Sequence, residues 1–456
     1  MIIAKTRIVV AKISLLILCS WTATAVGQSV ISGQSSTGGD LITSLESLPA
    51  KTDLLDRVRM LRRGNVNQSQ STELTEQGLS DASRSATDSL QEPVKESPTE
   101  RERLTQNDVT VSQTGPISGY MDFHFNDVQH ADPVLDFHRF VLLFTHSFSE
   151  RLRFVSELEL EHAVVSPETD GELELEQAYL DFLVKRSFNI RAGLVLAPVG
   201  IINERHEPPV FHGVERPLVE TVIIPTTWFG AGVGVHGELR GGFRYRAYAM
   251  ETLDASKFNA EEGLREGRQK GAKSNGRHVA GTGRFEYVGT PGLVLGASVW
   301  SGDTDFAFPR VDTSVTLAEF DGRYRAGELA VRGLYAHAFL NGMDQLNRAV
   351  QRTGGVSPRI ASEIRGFYLE GSYFVLPKPS PREVALFLRY ENFDTQYRMP
   401  SGFQPTRAFD RDAWIVGLTY FPDPDVAVKV DYTVLRNQSR VVDAPNSFNV
   451  GLGWWF

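Results

Sequence analysis

From residue 116 onward the chain repeats one unit: a segment in which apolar and polar side chains alternate, then a break rich in Gly, Pro or charge. Sixteen such segments are read between 117 and 456, among them 151–164, 172–184, 227–239, 383–393 and 447–456. Alternation with period two marks strands that have one apolar and one polar face. The breaks constrain the fold more than the strands do. Those after even-numbered segments are tight, as at Ser149-Glu150, Lys185-Arg186, Arg240-Gly241 and Ala326-Gly327. Several after odd-numbered segments are long and polar, at 198–226, 253–276, 341–362 and 394–411. Short turns at one end, long loops at the other, an even strand count and both termini on the short-turn side predict an all-β fold, a sixteen-stranded antiparallel transmembrane β-barrel. A two-sheet sandwich would not sort its loops in this way. A barrel of this size encloses an aqueous channel rather than a side-chain-packed core.

The two ends agree with a place in the bacterial outer membrane. Lys5, Arg7 and Lys12 precede an apolar run, Ile13 to Leu18, and the small residues Ala23-Thr24-Ala25, the layout of a signal peptide over 1–25. Cys19, inside that segment, is the only cysteine, so the exported chain has no disulfide and no cysteine metal site. Residues 26–115 are rich in Ser, Thr, Gln and Glu and are expected to stay mostly disordered in the periplasm, with a short helix near 50–63 after Pro49. No later run of apolar residues is long enough for a membrane-spanning helix. At the other end Phe448, Val450, Leu452, Trp454 and Phe456 share one face. Leu452, Trp454 and Phe456 resemble the terminal signal by which barrel-assembly machinery recognises its clients. A net charge of -9 and a pI of about 5.7 exclude nucleic acid as a partner.

Alternation also assigns faces. In the third segment Leu152, Phe154, Leu158 and Leu160 take the lipid side, which sends Arg153, Glu157, Glu159 and Glu161 inward. In the fourth, Leu173, Leu175 and Tyr179 are read as outward and Glu172, Glu174 and Glu176 as inward. These glutamates would form an acidic lumen wall. Arg244, Arg246, Arg284, Arg323, Arg325 and Arg332 fall on the inner face of later segments and would form a basic wall opposite, with a transverse field between the two. The simpler alternative is that each charge pairs with a neighbour and solvates the interior. Lys429 is read as inward and Val430 as outward, so Val430→Arg is expected to impair folding far more than Lys429→Ala.

The stretch from Arg139 to Leu239 resembles the phosphate-selective porin O and P family. The resemblance is carried by Ser156-Glu157-Leu158-Glu159-Leu160-Glu161-His162, Glu176-Gln177-Ala178-Tyr179-Leu180-Asp181-Phe182, Arg191-Ala192-Gly193-Leu194, Gly213-Val214-Glu215-Arg216 and Ile224-Pro225-Thr226-Thr227-Trp228. It implies a sixteen-stranded porin, usually a homotrimer in outer-membrane lipid, whose third extracellular loop folds into the pore. That loop would be 198–226. Glu204, Arg205, His206, Glu215 and Arg216 are its candidate constriction residues, rigidified by Pro208, Pro209, Pro217 and Pro225. Arg–Glu pairs that merely hold the loop to the wall are the alternative. The family's anion selectivity rests on an arginine ladder and a lysine cluster, whereas this loop has no lysine and more acidic residues than arginines. The expected function is therefore a water-filled channel for small hydrophilic solutes or ions, with phosphate or other anions as one preference. The chain has no GxSxG elbow and no coherent acid, base and nucleophile set, so enzyme activity is not expected, and a structural or surface-interaction barrel is the main alternative. His206 and His212, separated by Pro208 and Pro209, match no standard ligand spacing, and neither metal nor cofactor is read from the sequence.

Overall fold

The computed structural model describes residues 116–304, 311–352, 358–376, 380 and 382–456. The expected signal peptide (1–25), the segment 26–115 and its helix near 50–63 lie outside these residues. The strands are β1 (Ile117–Val128), β2 (Val134–Ser149), β3 (Leu152–Glu161), β4 (Leu173–Lys185), β5 (Phe188–Leu196), β6 (Phe229–Leu239), β7 (Phe243–Glu251) and β8 (Val279–Tyr287). They continue with β9 (Leu293–Thr304), β10 (Thr313–Ala326), β11 (Leu329–Asn341), β12 (Glu363–Phe374), β13 (Glu383–Arg398), β14 (Asp410–Asp423), β15 (Val426–Asn437) and β16 (Ser447–Trp455). Each pairs antiparallel with its sequence neighbours, and β1 pairs with β16, so the sheet closes. Closure sets Met121 opposite Trp454 and Phe125 opposite Val450. Just beyond, Gly119 and Phe456 exchange backbone hydrogen bonds of 2.9 Å in both directions. The Phe456 ring stacks on Phe140 at 5.8 Å.

The side chains explain the closure. Phe144, Leu158, Phe285, Phe320, Leu388 and Val416 stand exposed on the outside, on six strands spread around the barrel. In water such a surface would aggregate; against lipid it is the favourable one, and a closed ladder leaves no open sheet edge. That is the build of a bacterial outer-membrane protein.

One face assignment is reversed. Tyr179 points into the barrel, buried, with the Arg191 guanidinium 4.1 Å from its ring centre. The cause is a β-bulge: Glu157 pairs with Gln177 and the next residue, Leu158, with Leu175, so Glu176 is an extra residue on β4. An extra residue shifts the parity, and every later side chain of β4 changes face. Tyr179 and Asp181 thereby become lumen residues.

The interior also departs from the water-filled expectation. Trp300, Leu317, Leu334, Leu340, Ile364 and Tyr368 face inward from β9 to β12 and pack with Ile202, Val219, Ile223, Leu253, Leu264 and Leu346 from three extracellular loops. Part of the lumen is thus a dry core, at about 1.5–3 kcal/mol for each large apolar side chain taken from water. In β11, Val331, Tyr335 and Phe339 are apolar outside while Leu334, Ala336, Ala338 and Leu340 are apolar inside. A strand apolar on both faces is covered on both, as buried strands are.

Candidate functional site

The third extracellular loop runs from 197 to 228, between β5 and β6, and holds a 3-10 turn (Pro208–Val210) and a short helix, α1 (Val219–Val222). It folds into the lumen. Asn203 ties its two ends together, its side-chain amide donating to the Ala197 and Trp228 carbonyls (2.7 and 2.9 Å) and its Oδ1 accepting from Trp228 N–H (2.6 Å). The loop is then fastened to the wall residue by residue. Glu204 meets Arg246 of β7 at 3.1 Å. His206 donates to Glu176 of β4 (3.0 Å), and its carbonyl accepts from Arg139 of β2 (3.1 Å). The Val210 carbonyl accepts from Arg332 of β11, and the His212 ring contacts Glu370 of β12 at 2.8 Å. Lys429 of β15 donates to the Gly213 carbonyl (2.8 Å), while the Val214 N–H donates to Asp431 of the same strand (2.7 Å). Glu215 lies 3.1 Å from His124 of β1 and accepts from Asn126 (3.0 Å). The Val219 N–H donates to Glu391 of β13, and the Tyr368 hydroxyl of β12 donates to Glu220 (2.6 Å).

Charge holds several of these fastenings. Burial alone would keep His206 neutral, but the Glu176 and Glu157 carboxylates outweigh it and raise its pKa to about 10, so it carries its proton at neutral pH. Half of the Glu215 side chain is exposed; desolvation of the rest pushes its carboxyl up, yet His124 more than offsets that and brings it down to about 2. Glu204 is pushed above the usual carboxylate range by burial, which the Arg246 charge only partly opposes.

On β16, loop contact is made through glycine. A Cβ on Gly451 would lie 3.1 Å from Val214, and one on Gly453 only 2.3 Å from the Cβ of Pro208. Gly453→Val is expected to cost about 1–3 kcal/mol through overpacking. Its urea midpoint should fall and its unitary conductance should change; a variant matching the parent in both would show that the loop does not press on β16.

The candidate constriction residues therefore lie on one loop but in different sectors of the lumen. Glu204, His206 and Glu215 are engaged with β7, β4 and β1. Arg205 is half-buried and acts on Glu207 within the loop. Arg216 donates to Thr227 (3.0 Å) and lies within electrostatic reach of Glu159 and Glu176. Neither wall has a single sign. Among the acidic residues, Glu157 accepts from Tyr120 and Gln177, Glu159 lies 3.7 Å from Arg139, and Glu161 is half-buried opposite Arg139 in the ladder. Glu174 and the exposed Glu172 are bridged by Lys270 from the loop after β7. Among the basic residues, Arg244 meets Glu238, Arg246 and Arg323 meet Glu286, Arg325 meets Glu383 and Arg332 meets Glu370. Arg284 meets Glu286, Glu319 and Asp321. The segregated transverse field expected from the sequence is therefore largely neutralised pair by pair.

Sequence reasoning missed three features. Asp181 is a wholly buried hub for Arg153 (3.2 Å), Arg191 (3.1 Å) and His236 (2.7 Å), hidden by the bulge that shifted its parity. Glu286, Glu319, Asp321 and Glu370 share inward parity with the arginines and could have been read. A group of histidines, His124, His138 and His162, comes together only through β1–β2–β3 pairing.

The chain is 32% identical over 352 residues to an uncharacterized protein of Aquifex aeolicus (strain VF5), a match covering 75% of this chain and 79% of that one. The chain belongs to that protein's family. No protein-family model matches it. Among solved structures it is similar to the outer membrane channel DcaP of Acinetobacter baumannii, at 12% identity and a TM-score of 0.49, with 75% of this chain and 96% of that one covered. An anion-selective porin from Comamonas acidovorans is similar at 16% identity and a TM-score of 0.46, covering 75% and 98%. OmpT of Vibrio cholerae, in vitro folded and in a trimer form, is similar at 12% identity and a TM-score of 0.48, covering 75% and 98%.

Proposed function

We propose that the barrel is an outer-membrane porin through which small hydrophilic solutes diffuse passively, with a preference for anions such as phosphate. The observation that carries this reading is how the lumen ion pairs are layered. The Asp181 side chain is fully buried, whereas its partners Arg153, Arg191 and His236 are 26%, 12% and 15% exposed. Glu286 is 3% exposed under Arg246 and Arg323 at 10% and 11%, and Glu370 is 1% exposed under Arg332 at 11%. At these three clusters long guanidinium side chains overlie shorter carboxylates, so the surface each offers a solute is cationic although the group is near neutral. The order reverses at Arg244–Glu238 and Arg325–Glu383, near the short turns, and at Arg246–Glu204, where the carboxylate of the third loop is the more open partner. Fixed guanidinium N–H groups suit phosphate and other oxyanions.

Replacing both Arg191 and Arg323 with glutamine removes two of these surfaces and leaves Asp181, Glu286 and Asp321 each with another arginine. In a planar bilayer under a potassium chloride gradient, the parent should show an anion-side reversal potential and the double variant a shift toward cations. A cation-selective parent, or an unshifted variant, would refute the anion preference. The fastening of the third loop to both sides of the lumen favours a second reading, a closed barrel with a structural or surface-interaction role. Folded protein that inserts without carrying current would select it. Homotrimer assembly and delivery by the barrel-assembly machinery through Leu452, Trp454 and Phe456 belong to the porin reading; sedimentation of the folded protein and truncation of Phe456 test them in turn.

A further inference from the structure

At the extracellular end of β1, β2 and β3 three imidazoles meet. The His124 and His138 rings stack at 4.5 Å with 16° between planes, and His162 stands edge-on to His138 at 5.8 Å. Local structure places them. Asp122 pairs with Arg139 and His124 with Asp136, so β2 carries an extra residue there, and both His138 and Arg139 reach the lumen side. His162, the first residue after β3, donates its N–H to the His138 carbonyl (3.1 Å), which brings its ring over β2. Asp136 completes the group, 2.9 Å from His162 Nδ1 and 3.3 Å from His138 Nδ1.

Asp136 differs from the lumen carboxylates that anchor the arginine clusters. Asp122, Asp181, Glu286 and Glu370 each face at least one arginine. Among the described residues, the side chains that meet Asp136 are imidazoles. The ligand atoms of Asp136, His138 and His162 all lie within 4.8 Å of one another, and all three residues are partly open to solvent. Zinc bonds to imidazole nitrogen and carboxylate oxygen are about 2.0–2.2 Å long, which sets tetrahedral neighbours about 3.4 Å apart. The Asp136–His138 distance of 3.3 Å matches that spacing, and the Asp136–His162 distance of 2.9 Å would open by about 0.5 Å around an ion. The only other such group among the described residues, Glu157, Glu176 and His206, is buried, and its acceptors are already taken by Tyr120, Gln177 and the protonated His206.

The geometry points to a divalent transition-metal site of the zinc class, formed by Asp136, His138 and His162 at the extracellular mouth, with water completing the tetrahedron. A bound ion would tie the chain after β3 to β2 and place a fixed positive charge at the entrance. It is a property of the rim, independent of what the channel conducts.

The test is a zinc chloride titration of the folded full-length barrel in detergent, in competition with a chromophoric chelator. The parent should take up one zinc per chain. His162→Ala, which lies outside the strands and leaves their ladders intact, and His138→Ala should each weaken binding by at least about tenfold, the smallest loss seen when even an outer-shell partner of a metal is removed. His146→Ala, on the same strand but outside this group, should bind as the parent does. Retention of the heat-modifiable gel shift certifies folding of each variant. Equal zinc affinity in parent and His162→Ala, or loss of binding in His146→Ala alone, would overturn the site.

Discussion

Arg284→Ala is expected to lower the stability of the folded barrel by about 3–5 kcal/mol, the usual cost of removing one partner from a buried ion pair. A single guanidinium here serves three carboxylates: Glu286 at 2.9 Å, Glu319 at 3.1 Å, and Asp321. All four side chains are 3% exposed or less. Glu286 would keep Arg246 and Arg323, whereas Glu319 would be left with the Ser298 hydroxyl, the Gly200 N–H of the third loop and the neighbouring Asp321 carboxyl. Arg284→Lys should recover part of the loss, because a point charge reaches one carboxylate well but cannot fork across three. The urea midpoint of the heat-modified band at neutral pH measures the effect. A midpoint within error of the parent would mean that water reaches this cluster.

The second large effect lies on the outer face. Val430 stands on β15 between Leu418 of β14 and Val450 of β16, its cross-strand neighbours. Val430→Arg places a charge against lipid, at about 2–4 kcal/mol near the bilayer midplane. Refolding yield into phosphatidylcholine vesicles should drop sharply; an unchanged yield would place that face away from the acyl chains. The adjacent inward substitution, Lys429→Ala, is not the mild control that alternation suggests. The Lys429 ammonium donates to the Gly213 carbonyl and sits 3.7 Å from the Phe211 ring centre. Its loss leaves a buried carbonyl without that donor, at about 1–3 kcal/mol, and frees one fastening of the third loop. The two variants should therefore separate by phenotype: Val430→Arg fails to insert, and Lys429→Ala inserts with an altered conductance.

Strand number, order and closure were legible because alternation is a local property and sixteen repetitions of it leave little freedom. The expected 172–184, 227–239 and 447–456 became Leu173–Lys185, Phe229–Leu239 and Ser447–Trp455. Where the reading slipped, the cause was non-local. The extra residue at Glu176 has no composition signal, yet it turned Tyr179 inward and made Asp181 a hub. The charged residues of the third loop could be picked out as candidates, but their partners could not, since Val214 meets Asp431 only after more than two hundred further residues have closed the barrel. The inner apolar face of β11 was written in Leu334, Ala336, Ala338 and Leu340, but it gains meaning only once the loops that cover it are in place. Pairing of each lumen arginine followed from register, which alternation sets only to within its faces.

The fastenings of the third loop have a mechanical consequence. A closed sheet by itself is a hoop: it resists stretching, since that would break ladder bonds, but it can flatten into an ellipse at little cost. A chord pinned at Glu176 and Arg139 on one side, at Arg246 on a second, and at Glu370, Glu391 and Asp431 on a third acts as a triangulated brace across that hoop. Lateral pressure from the bilayer is then borne by hydrogen bonds in the interior, and the cross-section becomes a rigid dimension of the molecule instead of one that follows the membrane around it.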